Sequence, residues 1–178
     1  MLIAGMTVLR SPLGFLSLTV DSDGKSNRSQ LFSDSNGNVL AAWQTTASIQ
    51  SAYFNIHTQI WKRLADIPAA ITSDTHFQLA MNHKGNAALI WSDSDKHIFV
   101  STLASGEKAW AAPLQLTAEN ITANFPQVVI DEENNIIAAW ENNTEGDQPW
   151  IIKSAIHLAN TTRCNRPSTL ALDQEIML

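Results

Sequence analysis

Cysteine, tyrosine and charge are all scarce in this 178-residue chain. Cys164 is the single cysteine and Tyr53 the single tyrosine. One thiol cannot close an intrachain disulfide, and no Cys-x-x-Cys or Cys/His pattern offers a zinc site. Charged residues are 16% of the chain, well under the roughly 25% of an average soluble domain. Eleven Lys and Arg stand against seventeen Asp and Glu, so no basic excess exists to neutralise a phosphate backbone, and nucleic-acid binding is not expected. No apolar run reaches the ~18 residues that span a bilayer. Residues 1–20 are fairly apolar, but Arg10 and Pro12 interrupt them. Without a basic start and a small-residue cleavage site, they read as part of the fold rather than as a secretory signal. Composition assigns no compartment. What is plentiful is apolar residues, 44% of the chain, enough at this length for a core without staples.

That apolar content is periodic. Leu31-Phe32-Ser33-Asp34-Ser35-Asn36-Gly37-Asn38-Val39-Leu40-Ala41-Ala42-Trp43 returns as Leu79-Ala80-Met81-Asn82-His83-Lys84-Gly85-Asn86-Ala87-Ala88-Leu89-Ile90-Trp91. It returns again as Val128-Val129-Ile130-Asp131-Glu132-Glu133-Asn134-Asn135-Ile136-Ile137-Ala138-Ala139-Trp140. Trp61 and Trp110 keep the same period of 49, and Phe77 and Phe125 lie 48 apart. A period of this length marks a repeat architecture.

Each unit predicts four short strands. The first ends in an Asn-Gly-Asn, Lys-Gly-Asn or Asn-Asn turn, whose residues reach positive φ at least cost. The second is an almost unbroken apolar run to the tryptophan, as expected for burial on both faces. The third alternates, as in His97-Ile98-Phe99-Val100-Ser101-Thr102-Leu103, and the fourth is short, covering 61–67, 110–116 and 167–170. Four antiparallel strands every 40–50 residues is the signature of a propeller blade. The pattern resembles bacterial β-propeller repeats with an Asp-x-x-Gly-Asn hairpin followed by a buried Trp. It is loosely similar to the Asp-box blades of sialidase-like propellers, whose Trp follows the turn glycine more closely. The expectation is an all-β chain, one repeat domain over 1–178. Residues 10–30 would hold a strand of a preceding partial blade plus a linker, 13–19 resembling a fourth strand. Three blades then occupy 31–74, 75–122 and 123–172. Propellers commonly close with four to eight blades, so the ring is expected to be incomplete or closed by self-association.

Trp43, Trp91, Trp140, Trp61 and Trp110 are expected to pack the repeat core, since each buried ring removes about 150–250 Å² from water. Asp34-x-Asn36-x-Asn38 and Asp131-x-Glu133-x-Asn135 place oxygens at alternate positions, as calcium loops do. The middle copy has Lys84, however, and no closing bidentate carboxylate follows. Hairpin chemistry accounts for the recurrence, and no metal or cofactor is expected. The five histidines show no ligand spacing. A sialidase-like site would need clustered arginines and a Tyr/Glu pair, yet the five arginines occupy no blade-equivalent positions and no acid adjoins Tyr53. The expected function is therefore a non-catalytic binding or scaffold module, its loops presented to a protein partner. Asn142, Asn143, Asp147 and Gln148 of the long third-unit loop are the candidate contacts. A carbohydrate-binding or sialidase-like glycosidase segment is the alternative, and a truncated, inactive fragment a third.

Overall fold

A computed structural model describes residues 26–69, 71–72, 74–143 and 151–159, together with three two-residue strands towards the ends. The two nearest the N-terminus, β1 (Leu9–Arg10) and β2 (Leu16–Ser17), pair with each other. A first sheet follows from β3 (Asn27–Ser33), β4 (Val39–Gln44), β5 (Ser48–Asn55) and β6 (Ile60–Arg63), with β7 (Ile67–Pro68) also on β5. The second comprises β8 (Phe77–Met81), β9 (Ala87–Ser92), β10 (Ile98–Leu103) and β11 (Leu114–Gln115). The third comprises β12 (Thr122–Ile130), β13 (Ile136–Asn143), β14 (Ile151–His157) and β15 (Ser168–Thr169). Every ladder is antiparallel, and the described residues contain no helix.

The repeated turn explains why each first hairpin closes where it does. Asp34 Oδ1 accepts the amides of Asn36 and Asn38, both at 2.9 Å, while Oδ2 accepts Asn38 Nδ2 at 2.7 Å. Asp131 holds Glu133 and Asn135 in the same manner, and Asn82 substitutes its own carbonyl in the middle copy. Left-handed backbone falls in step at Gly37 (φ 83°), Gly85 (φ 84°) and Asn134 (φ 66°), the residue types that tolerate it. The acidic oxygens singled out by the calcium comparison thus serve the hairpins themselves.

Successive sheets stack in chain order. Strand β8 lies against both β3 and β12, so the first strands form a common inner edge. Each sheet has a leading face towards the next sheet and a trailing face towards the previous one. Leu40, Ala42 and Ile49 on the leading face of the first meet Leu79, Leu89 and Trp91 on the trailing face of the second. The second joint repeats this with Ala88, Ile90 and Ile98 against Val128, Ala138 and Trp140. Burying one such side chain fully contributes about 1.5–3 kcal/mol, so these joints are where the core lies.

Three departures from the sequence expectation have physical causes. Strand β9 is buried on both faces, but β13 alternates, because no further sheet covers its leading face among the described residues. The fourth strands are shorter than expected: β11 spans only Leu114–Gln115, and Trp110 lies in the preceding connection. Finally, Phe77 and Phe125 are not equivalent. A β-bulge between Asn124 and Gln127 inserts a residue, which turns Phe125 out to 50% exposure while Phe77 stays buried.

Candidate functional site

At the end of the stack away from the Asp34-type turns, the inner strands begin with irregular backbone. Counting back from Gln30, Gln78 and Gln127, which are in step, the same position is held by Arg28, His76 and Phe125. Bulges sit there in β3 and β12, and Arg28 and Phe125 both adopt φ 50°. Two of the three touch, and the third is tied to the backbone beside them. The Phe125 and His76 rings are 4.6 Å apart between centroids, at 58°, and Arg28 Nη1 donates to Thr75 O at 2.7 Å. Burial is the first cause holding the His76 imidazole below its ordinary pKa, with Arg28 and then Lys96 adding repulsion. Its Nδ1 is buried without a hydrogen-bond partner among the described residues. An exposed aromatic ring and an imidazole thus lie in contact, with a guanidinium held on the carbonyl of the residue before the histidine. That set can stack on a flat ligand and donate hydrogen bonds to it.

The connections between second and third strands surround this end. In the first sheet Thr45 Oγ1 accepts the amides of Ala47 and Ser48. In the second, Asp93 Oδ1 accepts those of Asp95 and His97. Asp93, Asp95 and His97 bring their ligand atoms within 4.8 Å of one another, but Asp93 is already engaged by its own turn. Asn142 occupies the place of Thr45 and Asp93. The residues that follow β13, 144–150, lie outside the described residues, and the Asn142 Nδ2 is buried without a partner among those described.

His97 contrasts with His76. Its bond to Glu119 O, at 3.0 Å, is the largest cause raising its pKa, opposed by burial and assisted by Asp93. A raised folded-state pKa contributes stability below the unfolded value, about 6.5, and that contribution disappears as pH rises through the folded value. For His76 the sign reverses, since the unfolded state binds more protons and stability falls as pH drops below about 6.5. Thermal melts of His97→Gln between pH 8 and 6 should therefore lack the stabilisation that wild type gains from His97 on acidification. Identical slopes would contradict this assignment.

Of the residues singled out from sequence, Trp43, Trp91 and Trp140 are 5%, 1% and 2% exposed, each on a trailing face. Trp61 is half-buried against Ala41, Trp43 and Ala52, with its ring 5.3 Å from Phe54. Trp110 reaches across the first joint to donate from Nε1 to Ser51 Oγ at 2.9 Å. Counted from the β11 and β15 ladders, the corresponding position in the third repeat is Cys164, which lies outside the described residues. A cavity of about 460 Å³ opens at the second joint, between Val100, Leu114 and Leu116 on one side and Ile136, Ala138 and Ala155 on the other. Asn142 is buried in β13 and Asn143 half-buried beside it. Asp147 and Gln148 lie outside the described residues. Sequence reasoning missed Arg28 and His76, although both stand at the repeat period.

No protein-family model matches the chain, and no curated protein matches its sequence. Solved structures do resemble it. The polysaccharide lyase Uly1 superposes with a TM-score of 0.50 at 8% identity, over 81% of this chain and 40% of that one. The fold is of the β-propeller type. A GH93 α-L-arabinofuranosidase of Fusarium graminearum follows at a TM-score of 0.49 and 12% identity, over 77% of this chain and 46% of that one. A protein of unknown function from Dyadobacter fermentans gives 0.48 at 15% identity, over 74% and 37%. The chain thus spans between about a third and a half of the length of these neighbours. Its three sheets are propeller blades.

Proposed function

We propose that this propeller segment binds carbohydrate at the bulged ends of its inner strands. Phe125 and His76 form the stacking platform and Arg28 the hydrogen-bonding cation. The observation that carries the reading is Phe125. A bulky aromatic at φ 50°, half exposed, obtains little burial for a backbone conformation that costs of order 1–3 kcal/mol. Such strain persists where a side chain is wanted in a particular place, and an outward phenyl face beside donors suits a pyranose ring. The likeness to a protein named as a polysaccharide lyase makes sugars the first ligand class to test. The role is binding; Asp93, the buried carboxylate at this end, is committed to its turn.

Phe125→Gly separates function from folding, because glycine adopts positive φ without strain. On an array of neutral and uronate oligosaccharides, wild type should retain at least one glycan. Phe125→Gly should lose roughly tenfold in affinity for it, the scale of one aromatic contact, while its thermal midpoint stays level or rises. An array on which wild type retains nothing, or unchanged binding by the variant, would refute the proposal.

A further inference from the structure

The two described joints are built on one plan. Gln30 clamps the first, accepting from Leu79 N at 2.8 Å and donating to Phe77 O at 2.9 Å. Gln78 clamps the second, accepting from Val128 N at 2.6 Å. Their fillings differ. In the first joint the indole of Trp110 packs against the apolar cluster, its Nε1 donating to Ser51 Oγ at 2.9 Å. The strand register makes Val100 the counterpart of Ser51, and Val100 lines the cavity of about 460 Å³ in the second joint. That cavity is therefore the place which an indole fills one blade earlier.

Three smaller side chains widen it. Ala138 stands where the first joint has Leu89, Thr102 where it has Tyr53, and Ala111 where it has Lys62. Leu89 is fully buried in the first joint, and Tyr53 packs beside it. An opening of about 270 Å³ remains there, edged by Lys62, Arg63, Glu107 and Lys108. The described lining of the second cavity has no Lys, Arg, Asp or Glu. Two of its polar walls are already engaged: Ser101 Oγ donates to Ala111 O at 2.7 Å, and Gln115 Nε2 to Thr117 O at 2.8 Å. Water in such a space finds few partners, so an apolar molecule displaces it favourably. The volume falls in the range of roughly 300–1,000 Å³ found for small-molecule sites.

We propose that the second joint binds a flat, uncharged aromatic molecule of about indole size or somewhat larger. It lies between Val100, Leu114 and Leu116 on one wall and Ile136, Ala138 and Ala155 on the other. Val100 presents no oxygen where Ser51 does, so recognition rests on shape and apolar contact. The site shares no residue with the Arg28, His76 and Phe125 group and takes a different ligand class.

The test titrates indole into the full chain by isothermal calorimetry. Wild type should bind one equivalent, saturably, at or below about 1 mM. Val100→Phe puts a ring into the space from the second blade, and Ala138→Leu installs the residue type that fills the first joint. Val100→Phe should weaken indole binding by about tenfold and Ala138→Leu by about threefold, with the circular dichroism of wild type retained. The second variant keeps the test decisive if the first fails to fold. No saturable binding by wild type overturns the proposal, since the chain would then fill the space itself. Binding that the folded variants leave unchanged overturns it as well. So does binding abolished by Phe125→Gly, because the indole would then sit on the sugar platform.

Discussion

Trp91→Ala should destabilise the chain by about 3–5 kcal/mol, the cost of emptying a large aromatic site that cannot collapse. Native domains commonly hold only about 5–15 kcal/mol in total, so this single change should remove a large share of the stability and lower the denaturation midpoint accordingly. The reason lies in where the ring sits. Trp91 is in the middle blade at 1% exposure, stacked on Phe99 with centroids 5.7 Å apart and planes 17° apart. It faces the first joint together with Leu40, Ile49 and Leu79. Removing it loosens a blade that both neighbours lean on. Chemical denaturation followed by tryptophan fluorescence and far-ultraviolet circular dichroism would measure the loss. A change under 1 kcal/mol would mean that the joint repacks, contrary to the account of the core given above.

The second large effect is expected from a polar residue. Gln30→Ala should cost about 2–4 kcal/mol, because the Leu79 amide and the Phe77 carbonyl would each lose a partner inside a joint. Both belong to the edge strand β8 and bond to Gln30 rather than to β9. The control is built into the repeat. Gln127→Ala should lie within about 0.5 kcal/mol of wild type in the single chain, the range for surface substitutions, since that side chain crosses no described joint. Urea melts of the two variants at low protein concentration make the comparison. Equal losses would refute the clamp.

The architecture was legible because its determinants are local and repeated. Asp34, Gly37 and Trp43 lie within one hairpin, so turn chemistry and apolar patterning fall in a single window, and two further copies remove coincidence. The short fourth strands were less so. Leu114 and Gln115 pair with β10 for two residues only, and nothing in so short a stretch separates a strand from a loop. The site was harder still. Arg28, His76 and Phe125 share a repeat position but no chemistry, so a search for recurring residue types passes over them. The bulge in β12 moved Phe125 by one residue and made its 48-residue spacing from Phe77 suggest an equivalence that the sheet register does not have. The glutamine clamps were present in the sequence at the right period, yet a polar residue in a strand ordinarily marks a solvent face. Only the neighbouring blade shows that its partner is a backbone edge.

One consequence of this layout concerns synthesis. Each blade draws its strands from an unbroken stretch of chain, and the described clamps join only adjacent blades. Stability is then close to a sum of blade terms and nearest-neighbour terms, as in other repeat arrays. The ribosome delivers the pieces in the order in which they stack, at about 5–20 residues per second. The first blade can therefore form while the second is still being made, and it waits with Leu40 and Ile49 uncovered until β8 and β9 emerge. Every intermediate in that series exposes one sticky leading face, which the next segment of nascent chain is the first to meet.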